Sequence, residues 1–203
     1  MDPYVLLVFV ALLFILGFGG LSWLRGEGLP GRFAWEALGF TGATLLISWA
    51  VKVPISPILF LILVYLFTMR ARLLVDLGNV FSTRGAYNQA LSLFHLALRL
   101  DSDAFSQAIA RINMGVVWIR QKRFEEAIAL LSDVLAHIPH GRGGPKYEAA
   151  CRYNLGFAYL RTGQDAKAVE QFNKVIQLLP NSLYARSAEA MLQRRERDRI
   201  DNH

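Results

Sequence analysis

Side chains able to do chemistry are few and scattered. Histidine occurs at His95, His137, His140 and His203. His137 and His140 stand three apart, but Pro139 lies between them, and no carboxylate or cysteine sits beside them at metal-ligand spacing. No metal site is expected. The one cysteine, Cys151, falls in a helical pattern, where a small buried thiol is the ordinary outcome. A single cysteine excludes an intramolecular disulfide and fits a reducing compartment. There is no glycine loop that could cradle a phosphate. Gly17, Gly19 and Gly20 lie inside an apolar stretch, where they would permit close helix packing. Glu36 is the one acid in its apolar run. It could be a proton or ion site within a membrane. Alternatively it is a first-turn carboxylate, favoured by the helix dipole and near the head groups. The second reading is preferred, because depth sets the cost of such a charge. No enzyme activity, cofactor or small-molecule substrate is expected.

Charge divides the chain. Residues 1–69 hold three basic and three acidic side chains, so all of the net +6 falls in residues 70–203. Residues 4–24 carry no charge, and about 20 apolar helical residues span a bilayer core of roughly 30 Å. A cleaved signal peptide is disfavoured by the Met1-Asp2-Pro3 start and by the length of the run. A Gly- and Pro-containing loop follows, then a second apolar stretch at 33–51 and a third, shorter one at 55–69. Three spans make a transmembrane domain over residues 1–70. The rival is two spans plus a re-entrant or kinked segment around Pro54 and Pro57. With three spans, Arg25, Arg32, Arg70 and Arg72 share one side and only Lys52 the other. This places the amino terminus outside and the residues after 70 in the cytoplasm, in an integral protein of the cell (inner) membrane. No Gly or Pro separates 69 from 78, which predicts one nearly continuous helix leaving the bilayer.

Residues 71–182 repeat one arrangement three times. Each copy is anchored on a glycine: Gly78, Gly115, Gly156. An apolar residue precedes it (Leu77, Met114, Leu155), and an aromatic follows three later (Phe81, Trp118, Tyr159). Twelve later comes Ala90, Ala127 or Ala168; sixteen later, Phe94, Leu131 or Phe172. Small residues let two antiparallel helices approach, large ones fill the gaps, and Pro139 and Pro180 close two of the copies. One such pair cannot bury its apolar face alone, so pairs stack. The pattern resembles the tetratricopeptide repeat family. The anchors are 37 and 41 residues apart, not the family's 34, and the extra residues fall near 105–107 and 142–148. The second insert reads as a flexible Gly141-Arg142-Gly143-Gly144-Pro145 loop. Asp165 stands where Tyr87 and Phe124 supply an aromatic, which predicts looser packing there. Ser182 can cap a last helix over about 183–200, with Tyr184, Ala188, Met191 and Leu192 on its apolar face. Residues 183–203 thus form a capping helix and charged tail. The fold is all-α: transmembrane helices, then a solenoid of three helix pairs, then the cap.

The resemblance implies a groove lined by the first helix of each pair. Projected here, it selects Val75, Asn79, Ile112, Asn113, Val116, Arg120, Tyr153, Asn154, Phe157 and Arg161. Asn79 and Asn113 fit a carboxylate clamp used by some family members, but Val75, Ala150 and Asn154 replace its cations. The groove therefore suits an apolar helix or extended segment of a protein partner, unless the terminal helix or inter-helix packing covers these side chains. The expected function is a membrane-anchored interaction module, a scaffold or assembly factor. The alternative is a subunit of a larger membrane complex, held through spans whose Gly17, Gly19, Gly20, Gly39 and Gly42 permit tight contacts. Beyond a protein partner, the lipid bilayer is the other expected contact. The interleaved acids near Arg194–Arg199 disfavour nucleic acid.

Overall fold

The computed structural model describes residues 2–24, 31–100, 104–138 and 144–201. Among these residues there are ten helices and no strand. They fall into two compact units, Met1–Leu73 and Leu74–His203.

The first unit holds α1 (Pro3–Leu24), α2 (Gly31–Val51) and α3 (Pro57–Thr68). Each contacts the other two. Their shared interior contains Leu7, Ala11 and Phe14 from α1, Phe33 and Ala37 from α2, and Phe60 and Val64 from α3. Phe14 meets Phe33 with ring centroids 5.5 Å apart, and Phe40 stacks on Phe67 at 5.1 Å. The outward faces are apolar too: Leu16, Trp35, Leu46, Trp49 and Ile58 are exposed. Helices apolar on every side lack the polar face that water requires. Two of them, α1 and α2, are long and apolar enough to cross a membrane. The third, with 12 residues, is only about 18 Å long. It reaches span length only together with the helix after it, from which it is bent by 74°.

That bend corrects the expectation of one nearly continuous helix. The break is at Met69 (φ −96°, ψ 6°), and no Gly or Pro is involved. The Thr68 hydroxyl donates back to the Val64 carbonyl at 2.7 Å, and Arg70 Nη1 donates to the Phe67 carbonyl at 2.6 Å. Such intrusions on the carbonyls of the last turn bend a helix. The α2 C-terminus is closed by Lys52 in the left-handed region (φ 57°). Val53 N–H donates to the Ser48 carbonyl and Lys52 N–H to that of Trp49, the paired bonds of a Schellman cap.

The second unit is a stack of antiparallel pairs: α4 (Arg70–Thr83, its first turn lying before the unit boundary) with α5 (Tyr87–Arg99), α6 (Ala104–Arg120) with α7 (Phe124–Ala136), and α8 (Gly144–Arg161) with α9 (Asp165–Leu178). A final helix, α10 (Leu183–Asp201), follows. Glycine is required at each anchor. A Cβ on Gly78 would stand 2.5 Å from the Phe94 ring. On Gly115 it would be 2.8 Å from Leu131, and on Gly156 2.9 Å from Phe172. The space the glycine leaves is thus filled first by the large residue sixteen positions on, and at Gly156 the Ala168 carbonyl also stands 3.3 Å from the added Cβ. Ala90, Ala127 and Ala168 are nonetheless fully buried.

The inserts also behave differently from expectation. Residues 105–107 and 145–148 form extra first turns of α6 and α8, which run to 17 and 18 residues against 14 in α4. Phe105 and Tyr147, on those two turns, pack with ring centroids 5.5 Å apart. Gly144 and Pro145 start a helix rather than ending a loop, as proline's fixed φ allows in a first turn. Residues 141–143 lie outside the described residues.

Candidate partner-binding groove

The first helices α4, α6 and α8 carry every residue selected from the sequence. Three of these lie three positions before their glycine and so on the same side of the helix as it. Val75 and Ile112 belong to the interior, and Tyr153 is half-buried. Val75, 3% exposed, clusters with Ala90, Phe94 and Ala97 of its own second helix. Ile112, 5% exposed, lies among Leu131 and Val134 of α7 and Cys151 and Leu155 of α8. Tyr153 packs on Phe172 of α9 and on Tyr184 of α10, with centroids 5.9 Å away in each case. Val75 and Ile112 are thus covered by their neighbours, whereas Tyr153 joins α8 to α9 and α10 with part of its surface open. Burial, and then the neighbouring Tyr153, push the Tyr184 hydroxyl above its ordinary pKa.

Both arginines turn towards the preceding helix pair. Arg120 Nη1 donates to the Ser82 carbonyl at 2.8 Å and to its hydroxyl at 3.1 Å. Arg161 sits over the Phe124 ring, 5.5 Å from its centroid. Arg195, 34 positions after Arg161, makes a 3.0 Å ion pair from Nε to Asp165. One position on successive first helices thus clasps the pair before it, and α10 is in register as the first helix of a fourth pair. Asp165 is the partner of that clasp, which accounts for the missing aromatic at its position.

Asn79, Asn113, Val116, Asn154 and Phe157 remain, all half-buried. Asn154 Nδ2 donates to the Ala150 carbonyl of its own helix at 2.8 Å. Asn113 Nδ2 is enclosed without a partner. Other chemistry stays apart from this face. His137 is exposed, with Nδ1 2.8 Å from the Asp133 carbonyl, and His95 is exposed on α5. His140 and His203 lie outside the described residues. Among the described residues no three His, Cys, Asp or Glu groups converge as a metal site would need. Cys151 is buried, donates to the Leu131 carbonyl at 3.2 Å, and has its pKa pushed up to about 12 by desolvation.

Comparison with protein families places tetratricopeptide repeat models on residues 73–108 and 106–181. Residues 73–181 are tetratricopeptide repeats. The chain is also 23% identical, over 109 residues, to the human intraflagellar transport protein 88 homolog. That stretch is 53% of this chain and 13% of the relative, so the chain spans only a small part of that protein's length.

Within the tetratricopeptide repeats, sequence reasoning passed over one element, the turn between the two helices of each repeat. It is the same in all three. Gly85, Lys122 and Gly163 adopt φ of 80°, 62° and 73°. Each donates its N–H three residues back, and the next residue donates five back, to the carbonyls of Phe81, Trp118 and Tyr159. This is the Schellman cap again. The signal was available: glycine recurs seven residues after two of the three anchors, and only Lys122 breaks it.

Proposed function

We propose that the protein is a membrane-anchored tetratricopeptide-repeat module that offers the face of α6 and α8 to a protein partner on the cytoplasmic side, as a scaffold or assembly factor. The observation that carries this is the set of side chains left over once packing is accounted for. Val116 and Phe157 occupy equivalent positions on adjacent first helices and stay partly open. Asn79 holds the same position on α4, and its half-buried amide can bond a peptide backbone. Family membership of the repeats supports a protein partner, and the two long apolar helices support anchoring in a bilayer. The test is a photoreactive residue at Phe157 in the full-length protein in native membranes, with the same residue at exposed Lys174 as control. A discrete protein adduct at Phe157 and none at Lys174 is expected. Equal labelling at both positions, or lipid adducts alone, would overturn the groove.

A second reading has its own support. A Cβ at Gly17, Gly20, Gly39 or Gly42 would meet nothing within 4 Å. These glycines do not mediate packing within the chain, and their flat surfaces remain available to helices of other subunits. Exchanging the amino-terminal unit for an unrelated anchor separates the readings: association that survives belongs to the repeats, and association that is lost belongs to the spans.

A further inference from the structure

Among the described residues of the second unit, four large apolar side chains are exposed: Leu77, Val80, Leu96 and Leu183. Three of them are in the first repeat. Leu77 and Val80 hold the positions one before and two after the anchor glycine. In the second repeat those positions are Met114 and Val117, 4% and 0% exposed; in the third they are Leu155 and Ala158, 2% and 0%. There they are buried in the stack with the helices of the neighbouring pairs. In the first repeat they are 46% and 43% exposed. The inter-repeat surface thus continues onto α4, where the sequence has kept it apolar without a preceding pair to cover it.

Flanking charges indicate what covers it. Asp76 on α4 and Arg84, the residue just after it, align with Val80 at i, i+4 and i+8 beside Leu77, and both are exposed. Their counterparts in the second repeat are the neutral amides Asn113 and Gln121, each with an enclosed atom. A helix face with an acid at one end, a base at the other and apolar residues between is self-complementary when two copies run antiparallel. Asp76 of each copy then meets Arg84 of the other, and Val80 lies at the two-fold axis. The far end of the stack does not offer a matching face, since α10 spends its apolar residues Tyr184, Ala185 and Ala188 on the interior.

We propose that α4 is a homodimer contact, pairing antiparallel with α4 of a second copy through Leu77 and Val80 and two reciprocal Asp76–Arg84 ion pairs. This does not depend on the groove described above. The experiment uses the purified full-length protein in lipid nanodiscs large enough for two copies. Cys151 gives no background, being buried. Val80→Cys and, as control, Lys174→Cys are oxidised with copper phenanthroline. A disulfide-linked dimer for Val80→Cys and none for Lys174→Cys is expected. Cross-linking is lost in Val80→Cys carrying Asp76→Arg, and returns when Arg84→Asp is added. A Val80→Cys protein that stays monomeric while retaining its helical circular dichroism overturns the proposal. So does equal cross-linking at Lys174. A photoreactive residue at Val80 that captures lipid or a different polypeptide, and no second copy, also overturns it by assigning the face to that occupant.

Discussion

Arg70 grips Glu36 with both arms of its guanidinium, Nη1 to Oε2 at 2.7 Å and Nη2 to Oε1 at 2.9 Å. Arg32 adds a third bond, 2.8 Å from Nε to Oε1. Residues at the start of α2 and just beyond the end of α3 are therefore at one level. The chain leaves that level along α2, turns at Lys52, and comes back along α3.

If α3 is a third crossing, Val53 and Lys174 lie on opposite sides of the bilayer. Single cysteines at Val53 and Lys174, probed with a membrane-impermeant maleimide in proteoliposomes of defined orientation, should label from opposite sides. Labelling from the same side would remove the third crossing.

The Glu36 carboxylate serves the structure of the first unit. Glu36→Gln should lower the thermal stability of the detergent-solubilised protein by about 1–2 kcal/mol, the scale of charged hydrogen bonds that remain partly wet. Glu36→Asp should recover part of this. An unchanged melting curve would show that the pair contributes nothing.

Close approach at the anchors predicts a cost for the smallest possible side chain. Gly78→Ala, Gly115→Ala and Gly156→Ala should each destabilise the repeats by about 1–3 kcal/mol through overpacking. Trimming the obstructing group, as in Gly78→Ala with Phe94→Leu, should restore part of the loss in chemical denaturation.

The three turns differ in one residue, so they give a matched experiment. Gly85→Ala and Gly163→Ala place a Cβ in the left-handed region and should cost about 1 kcal/mol or more. Lys122→Gly should stabilise by up to about 1 kcal/mol. Denaturant midpoints check both signs.

Cys151 links stability to alkaline pH. Its pKa rises from 9.0 to about 12 on burial, so the folded state holds the proton where the unfolded state releases it. The contribution is complete below pH 9 and is lost as pH climbs towards 12. A Cys151→Ala variant should show a shallower decline over that window. At pH 8 the native thiol should react with maleimide only as fast as the chain opens.

Spacing alone determined the helix pairs, because glycine, alanine and large apolar residues at fixed intervals follow directly from two helices in contact. Two long apolar runs likewise determined α1 and α2, since length and hydropathy are local properties. Ser182 was legible as a cap, and its hydroxyl does accept the Ala185 N–H at 3.0 Å. Tertiary structure decided what a position on a helix cannot. Val75 and Ile112 occupy positions that the family pattern assigns to a groove, yet the second helix of the same pair and, for Ile112, the next first helix close over them, while Tyr153 is half covered by Phe172 and Tyr184. Arg120 and Arg161 have side chains long enough to point into a groove or back to the previous pair, and only the placement of Ser82 and Phe124 settles the direction. Residues 105–107 and 145–148 could have been loop or helix, and packing of Phe105 on Tyr147 made them helix. Glu36 and Arg70 are 34 residues apart, and a pairing at that distance is set by how helices return on one another, which no local pattern encodes.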